Sequence, residues 1–161
     1  MSILKSVEIV DLGIEKEKKR RDFYALAAEK FKGEELKKLF ARLRDWEETH
    51  IKKFREIREG INDYETRESY PGEMEAYMKA LVDDLLYNKV SPAEFEKNIK
   101  NPADAIQYGI SFEKDAILFF RELLPYMNSS HRGIVEQLIE EEKQHIVYLS
   151  QLKGRIVNSE Q

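Results

Sequence analysis

The 161 residues include no cysteine, carry a formal net charge of −4, and are 42% hydrophobic and 36% charged. That balance excludes disulfides, thiolate-zinc sites and iron–sulfur ligation by this chain, argues against a nucleic-acid footprint and suits a soluble helical protein with charged outer faces. No apolar run approaches the roughly 20 residues of a membrane span, and the N-terminal MSILKSVEIVDLG lacks the basic-then-apolar order of a secretory signal, so a single cytoplasmic domain with no membrane or nucleic-acid partner is expected.

Four prolines and seven glycines leave room for long helices. The first is predicted over residues 3–31, where Val10, Ile14, Tyr24, Ala28 and Phe31 fall on one stripe at steps of three and four. The missing rungs of that stripe are Glu17 and Arg21, and Gly33 fits a C-terminal stop. The basic run Lys16–Arg21 reads as the solvated side of this helix. A second helix is predicted over 34–58 on Leu36, Phe40, Leu43, Phe54 and Ile57, with Glu47 and His50 as missing rungs and Gly60 and Asn62 ending it.

Residues 61–101 read as a crossover connection. Tyr70-Pro71-Gly72 is a turn, Glu73–Tyr87 has the spacing of a short amphipathic helix, and Ser91-Pro92 caps a brief helix to Ile99. Asn101-Pro102 repeats the cap-plus-proline signal and opens the third long helix, to Leu124, on Ile106, Ile110, Ile117, Phe120 and Leu124. Its missing rung is Glu113. After a turn at Pro125–Ser130, the fourth long helix is predicted over 131–154 on Val135, Leu138, Leu149 and Leu152, interrupted by Glu142 and His145. Gly154 is expected to close it, and the tail Val157–Gln161 to fray.

All four seams therefore share one defect, an acidic or imidazole side chain where the core should be. Burying an ionised carboxylate without a partner costs several kcal/mol, so a compensating charge is required, and metal ions supply it. The interruptions also repeat. Glu17 and Glu113 are 96 residues apart, and Glu47 and Glu142, like His50 and His145, are 95 apart. Two copies of a helix pair explain this spacing. One Glu on each of two helices, with Glu-x-x-His on each of the other two, is the inward ligand set of di-iron and di-manganese carboxylate bundles. Mixed oxygen and nitrogen donors suit iron or manganese, and zinc is possible.

Glu17-x6-Tyr24, Glu47-Glu-Thr-His50, Glu113-x6-Phe120 and Glu142-Lys-Gln-His145 together resemble the rubrerythrin-related branch of the ferritin-like di-iron carboxylate proteins. The resemblance implies an all-α, ferritin-like four-helix bundle with its long crossover between the second and third long helices, which would then run parallel. It implies two iron ions, with Glu17 and Glu113 as terminal carboxylates, Glu47 and Glu142 bridging, and His50 and His145 each capping one metal. Tyr24 would make an outer-sphere hydrogen bond. It also implies reaction with O2 or hydrogen peroxide, by peroxide reduction or ferrous oxidation, and suggests a homodimer.

The chain departs from that family pattern in three places. The cysteine-ligated rubredoxin-like domain is not within these residues, so electrons are expected from an external donor protein. The second Glu one turn after the third-helix ligand is replaced by Ala116 and Ile117, and the second tyrosine by Phe120. A non-catalytic iron-handling or metal-sensing bundle, or a metal that merely staples the helices, therefore stands beside the oxidoreductase reading. His131, lacking a Glu partner, is expected to be exposed and without a role, and Trp46 and Phe54 to serve packing. The head of Arg21 is expected to reach water.

Overall fold

A computed structural model describes residues 5–61, 76, 77, 80 and 90–159. Apart from residues 76, 77 and 80, the short helix expected over 73–87 lies outside the described residues. The described elements are α1 (Ser6–Lys30), α2 (Glu34–Gly60), α3 (Pro92–Asn98), α4 (Pro102–Leu123), a 3₁₀ turn at Leu124–Tyr126 and α5 (Ser129–Ser159). No helix among the described residues is long and apolar enough to cross a membrane.

The helix starts follow from local chemistry. Ser91 Oγ accepts the Glu94 N–H at 3.3 Å, and Asn101 Oδ1 accepts the Asp104 N–H at 2.9 Å, with Pro92 and Pro102 each behind its cap. Asn128 Oδ1 accepts the His131 N–H at 2.8 Å and opens α5. Helix α1 ends just ahead of Gly33 and α2 at Gly60, as expected, but α5 does not end at Gly154. Gly33 has φ −61° and precedes α2 as its N-cap, while α1 stops at Lys30. Gly60 is the last residue of α2, and α5 runs through Gly154 to Ser159. One glycine costs a helix only about 1 kcal/mol, too little to end it where its neighbours still pack.

Cross-links fix the directions. Asp11 pairs with Arg58 and Arg21 with Glu48, so α1 and α2 are antiparallel. Lys16 pairs with Asp115, and Phe23 packs on Tyr108 and Phe112, so α1 and α4 are antiparallel too. Helices α2 and α4 therefore run parallel, as the crossover requires. The core is divided in two. One cluster holds Phe23, Phe40, Leu43, Phe95, Phe112 and Leu149, and the other Ile9, Ile51, Phe54, Phe120, Leu123 and Leu138. Glu17, Glu47, His50, Glu113, Glu142 and His145 occupy the level between them, each at most 3% exposed.

Candidate metal centre

Helical spacing puts Glu47 and His50 on one face of α2, and Glu142 and His145 on one face of α5. Glu17 from α1 and Glu113 from α4 complete the layer. The six residues form two overlapping groups, Glu17–Glu47–His50–Glu142 and Glu47–Glu113–Glu142–His145. Within each group, one ligand atom per residue lies within 4.8 Å of every other. Glu47 and Glu142 belong to both groups, so the structure brings all six sequence-predicted residues together around two adjoining points.

The polar atoms in this layer converge without saturating one another. His50 Nδ1 lies 2.8 Å from Glu142 Oε1 and 3.4 Å from Glu47 Oε2, while His145 Nδ1 lies 3.0 Å from Glu142 Oε2 and 3.5 Å from Glu113 Oε1. Yet Glu17 Oε2, both Glu47 oxygens, Glu113 Oε2, Glu142 Oε1 and His50 Nδ1 make no well-directed hydrogen bond. Buried oxygens without donors are costly. Lone pairs aimed at common points, in a set of four carboxylates and two imidazoles, fit two divalent cations with a preference for hard or borderline metals.

The electrostatics carry the same strain. Burial, then the neighbouring charges of Glu142 and Glu17, push the Glu47 carboxyl well above its usual range. Burial alone would lower His50, but the Glu142 carboxylate, with Glu141 and Glu17, raises it well above an ordinary imidazole. Burial would likewise raise Glu142 and Glu17. The two histidines hold Glu142 below the carboxylate range, and Arg20, with Glu47 and His50, does the same for Glu17. Like charges are crowded here, and cations relieve them.

Neighbouring side chains hold the ligand groups in place. Tyr24 donates its hydroxyl to Glu113 Oε1 at 2.6 Å. Its ring lies against Gly109, where an added Cβ would come 3.3 Å from Tyr24 Cε1 and 3.2 Å from Leu149 Cδ1. The outward nitrogen of His50, Nε2, lies 2.8 Å from Glu141 Oε2, and Lys53 reaches the other oxygen at 3.3 Å. That hydrogen bond from His50 is the main reason the Glu141 carboxyl falls to about 2. Being ionised, Glu141 can only accept, so Nε2 carries the proton and Nδ1 faces the carboxylates.

Sequence reasoning missed Glu141 and Arg20. The run Glu140–Glu142 hides the first, since adjacent helical residues point in different directions and only contact with α2 singles out Glu141. The run Lys16–Arg21 hides the second, and its reading as a solvated face needs correction. Lys16 is 1% exposed and pairs with Asp115 at 2.6 Å, and Arg20 is fully buried. Arg21 reaches out to Glu48 at 2.9 Å, so its neighbour Arg20 is the buried cation beside Glu17. His131 is half-buried rather than exposed, its Nε2 3.0 Å from where a Cβ on Gly60 would sit.

The sequence model of the rubrerythrin family matches residues 8–153. The chain belongs to the rubrerythrin family. Its fold is similar to the crystal structure of a Thermotoga maritima protein provisionally described as a ferritin-like diiron-carboxylate protein, with a TM-score of 0.68 at 24% identity over 95% of this chain and 97% of that one. Among curated proteins, none matches. One turn beyond Glu113 stands the fully buried Ala116, and the guanidinium of Arg20 is buried against Glu17.

Proposed function

We propose that this protein is a di-iron carboxylate oxidoreductase that reacts with O2 or hydrogen peroxide. The observation that carries the reading is the pair of buried ligand groups sharing Glu47 and Glu142. In this reading Glu47 and Glu142 would serve both metal positions, with Glu17 and His50 completing one and Glu113 and His145 the other. Bound iron would supply the redox chemistry, passing electrons from an external donor protein to the oxidant. Peroxide reduction would consume an electron pair and two protons per molecule and release water.

The residues of the chain would do the rest. The carboxylates offset the change in metal charge, and the two apolar clusters shut water out along the bundle axis. Tyr24 keeps Glu113 in one orientation. A cavity of about 250 Å³ lined by Trp46, Thr49, His50, Lys53, Glu141, Gln144 and His145 reaches the histidines from the side, a size that suits a small oxidant. Iron loading followed by peroxide-consumption kinetics tests the reading, with Glu142→Ala as the comparison. Unchanged turnover in that variant would overturn it.

A second reading, an iron-handling protein without sustained turnover, is favoured by Ala116 standing where a further carboxylate is expected. It predicts a single slow oxidation of bound ferrous iron and no continuing consumption of peroxide.

A further inference from the structure

The two halves of the centre are related by the internal repeat, and they differ at two inward positions. Ninety-six residues on from Arg20 stands Ala116, and ninety-six on from Tyr24 stands Phe120. Each terminal glutamate has one oxygen engaged and the other unpartnered. Glu113 Oε1 takes the neutral Tyr24 hydroxyl at 2.6 Å, whereas Glu17 Oε1 takes the Arg20 guanidinium at 2.5 Å. Arg20 Nε also lies 3.7 Å from Glu47 Oε2, and its Cζ sits 5.8 Å from the centre of the Phe120 ring.

We propose that Arg20 makes the two metal positions unequal. A divalent cation then fills the Glu113–His145 position first, and enters the Glu17–His50 position only against the arginine's charge. This rests on the metal-centre reading above. A guanidinium keeps its charge at every accessible pH, so the opposition is permanent. The pair is fully buried, where screening by water is weak and like charges a few ångströms apart repel strongly. The position is weakened but not blocked, because Glu17 Oε2 makes no hydrogen bond. Phe120 gives the guanidinium a resting place beside the site while Glu17 ligates.

Titration of the chelator-treated full chain with Mn(II), followed by calorimetry and electron paramagnetic resonance, tests this. The unmodified protein is expected to bind in two steps whose Kd values differ about tenfold or more. At one equivalent it should show the hyperfine-split signal of an isolated Mn(II). Arg20→Gln should draw the two Kd values together and give the spin-coupled pair signal from the first equivalent. Arg20→Lys, which keeps the charge, should retain separate steps. In the unmodified background, Glu113→Gln should remove the tighter step and Glu17→Gln the weaker, which decides the matter if Arg20→Gln fails to fold. A coupled signal from the first equivalent in the unmodified protein, unmoved steps in Arg20→Gln, or loss of the tighter step in Glu17→Gln would each overturn the assignment. Two equal steps would leave the metal centre standing, whereas no Mn(II) uptake at all would sink both readings.

Discussion

Trp46 lies flat on His145, the ring centroids 4.6 Å apart and the planes 6° from parallel. Trp46 also stacks against Tyr148 at 5.9 Å, and Tyr148 is exposed. The indole therefore packs the imidazole in one plane, with Nδ1 facing Glu142 and Glu113. As the only tryptophan in the chain, it also reports on that imidazole. Co(II) binding should quench most of the Trp46 emission, and a chelator should restore it. Zn(II), with its filled d shell, should quench little. Emission unaffected by saturating Co(II) would mean that no metal sits near His145.

Glu141 stands behind His50 as the carboxylate stands behind many metal-bound imidazoles. Such outer partners change metal affinity by roughly 10–100-fold when removed. Glu141→Gln should weaken the step assigned to the Glu17–His50 position by that range. It should move thermal stability little, because Glu141 is partly exposed and its pairing with Lys53 is screened. Affinity unchanged within about twofold would show that burial alone orients His50.

The ligand layer was legible in the sequence because an interruption in an apolar stripe is visible only where the stripe is otherwise regular. Glu17, Glu47, Glu113 and Glu142 each break a run of steps of three and four, and the repeat supplies an independent check. Arg20 and Glu141 were not legible, since each lies in a run of like charges whose members differ only in direction. A stripe analysis chose Arg21, one position away, and the choice between neighbours is made by packing against α2 and α4. The helix end expected at Gly154 failed for a related reason. A glycine permits a stop, but tertiary contacts decide whether it is used.

Tyr24 and Gly109 should act as one unit. Tyr24→Phe leaves Glu113 Oε1 without its donor and should cost about 1–3 kcal/mol in the metal-free protein. Gly109→Ala pushes a methyl group towards the Tyr24 ring and Leu149, at about 1–2 kcal/mol. Both work partly through the same hydroxyl, which lies 3.4 Å from the would-be Cβ. The double variant should therefore cost less than the sum by about 0.5 kcal/mol or more. Urea unfolding of the four proteins measures this, and additive costs would show that the glycine serves Leu149 instead.

Glu47 and His50 both bind their protons more tightly folded than unfolded. Their contributions to stability therefore decline as pH rises, from 4.5 upward for Glu47 and from 6.5 upward for His50. Glu17, Glu141 and Glu142 are held below 4.5, so their contributions are complete above that value and lost as pH falls through the folded pKa values. Above pH 6.5 the carboxylate gains are already in place and only losses remain. The Tm of the chelated protein should therefore fall between pH 6.5 and about 9. A divalent cation requires Glu47 and the Nδ1 of His50 to be deprotonated, so its binding releases protons and tightens over the same window. With saturating Mn(II) the decline in Tm should flatten or reverse. A chelated protein that gained stability above pH 6.5 would mean that Glu47 and His50 do not share their protons with this carboxylate layer.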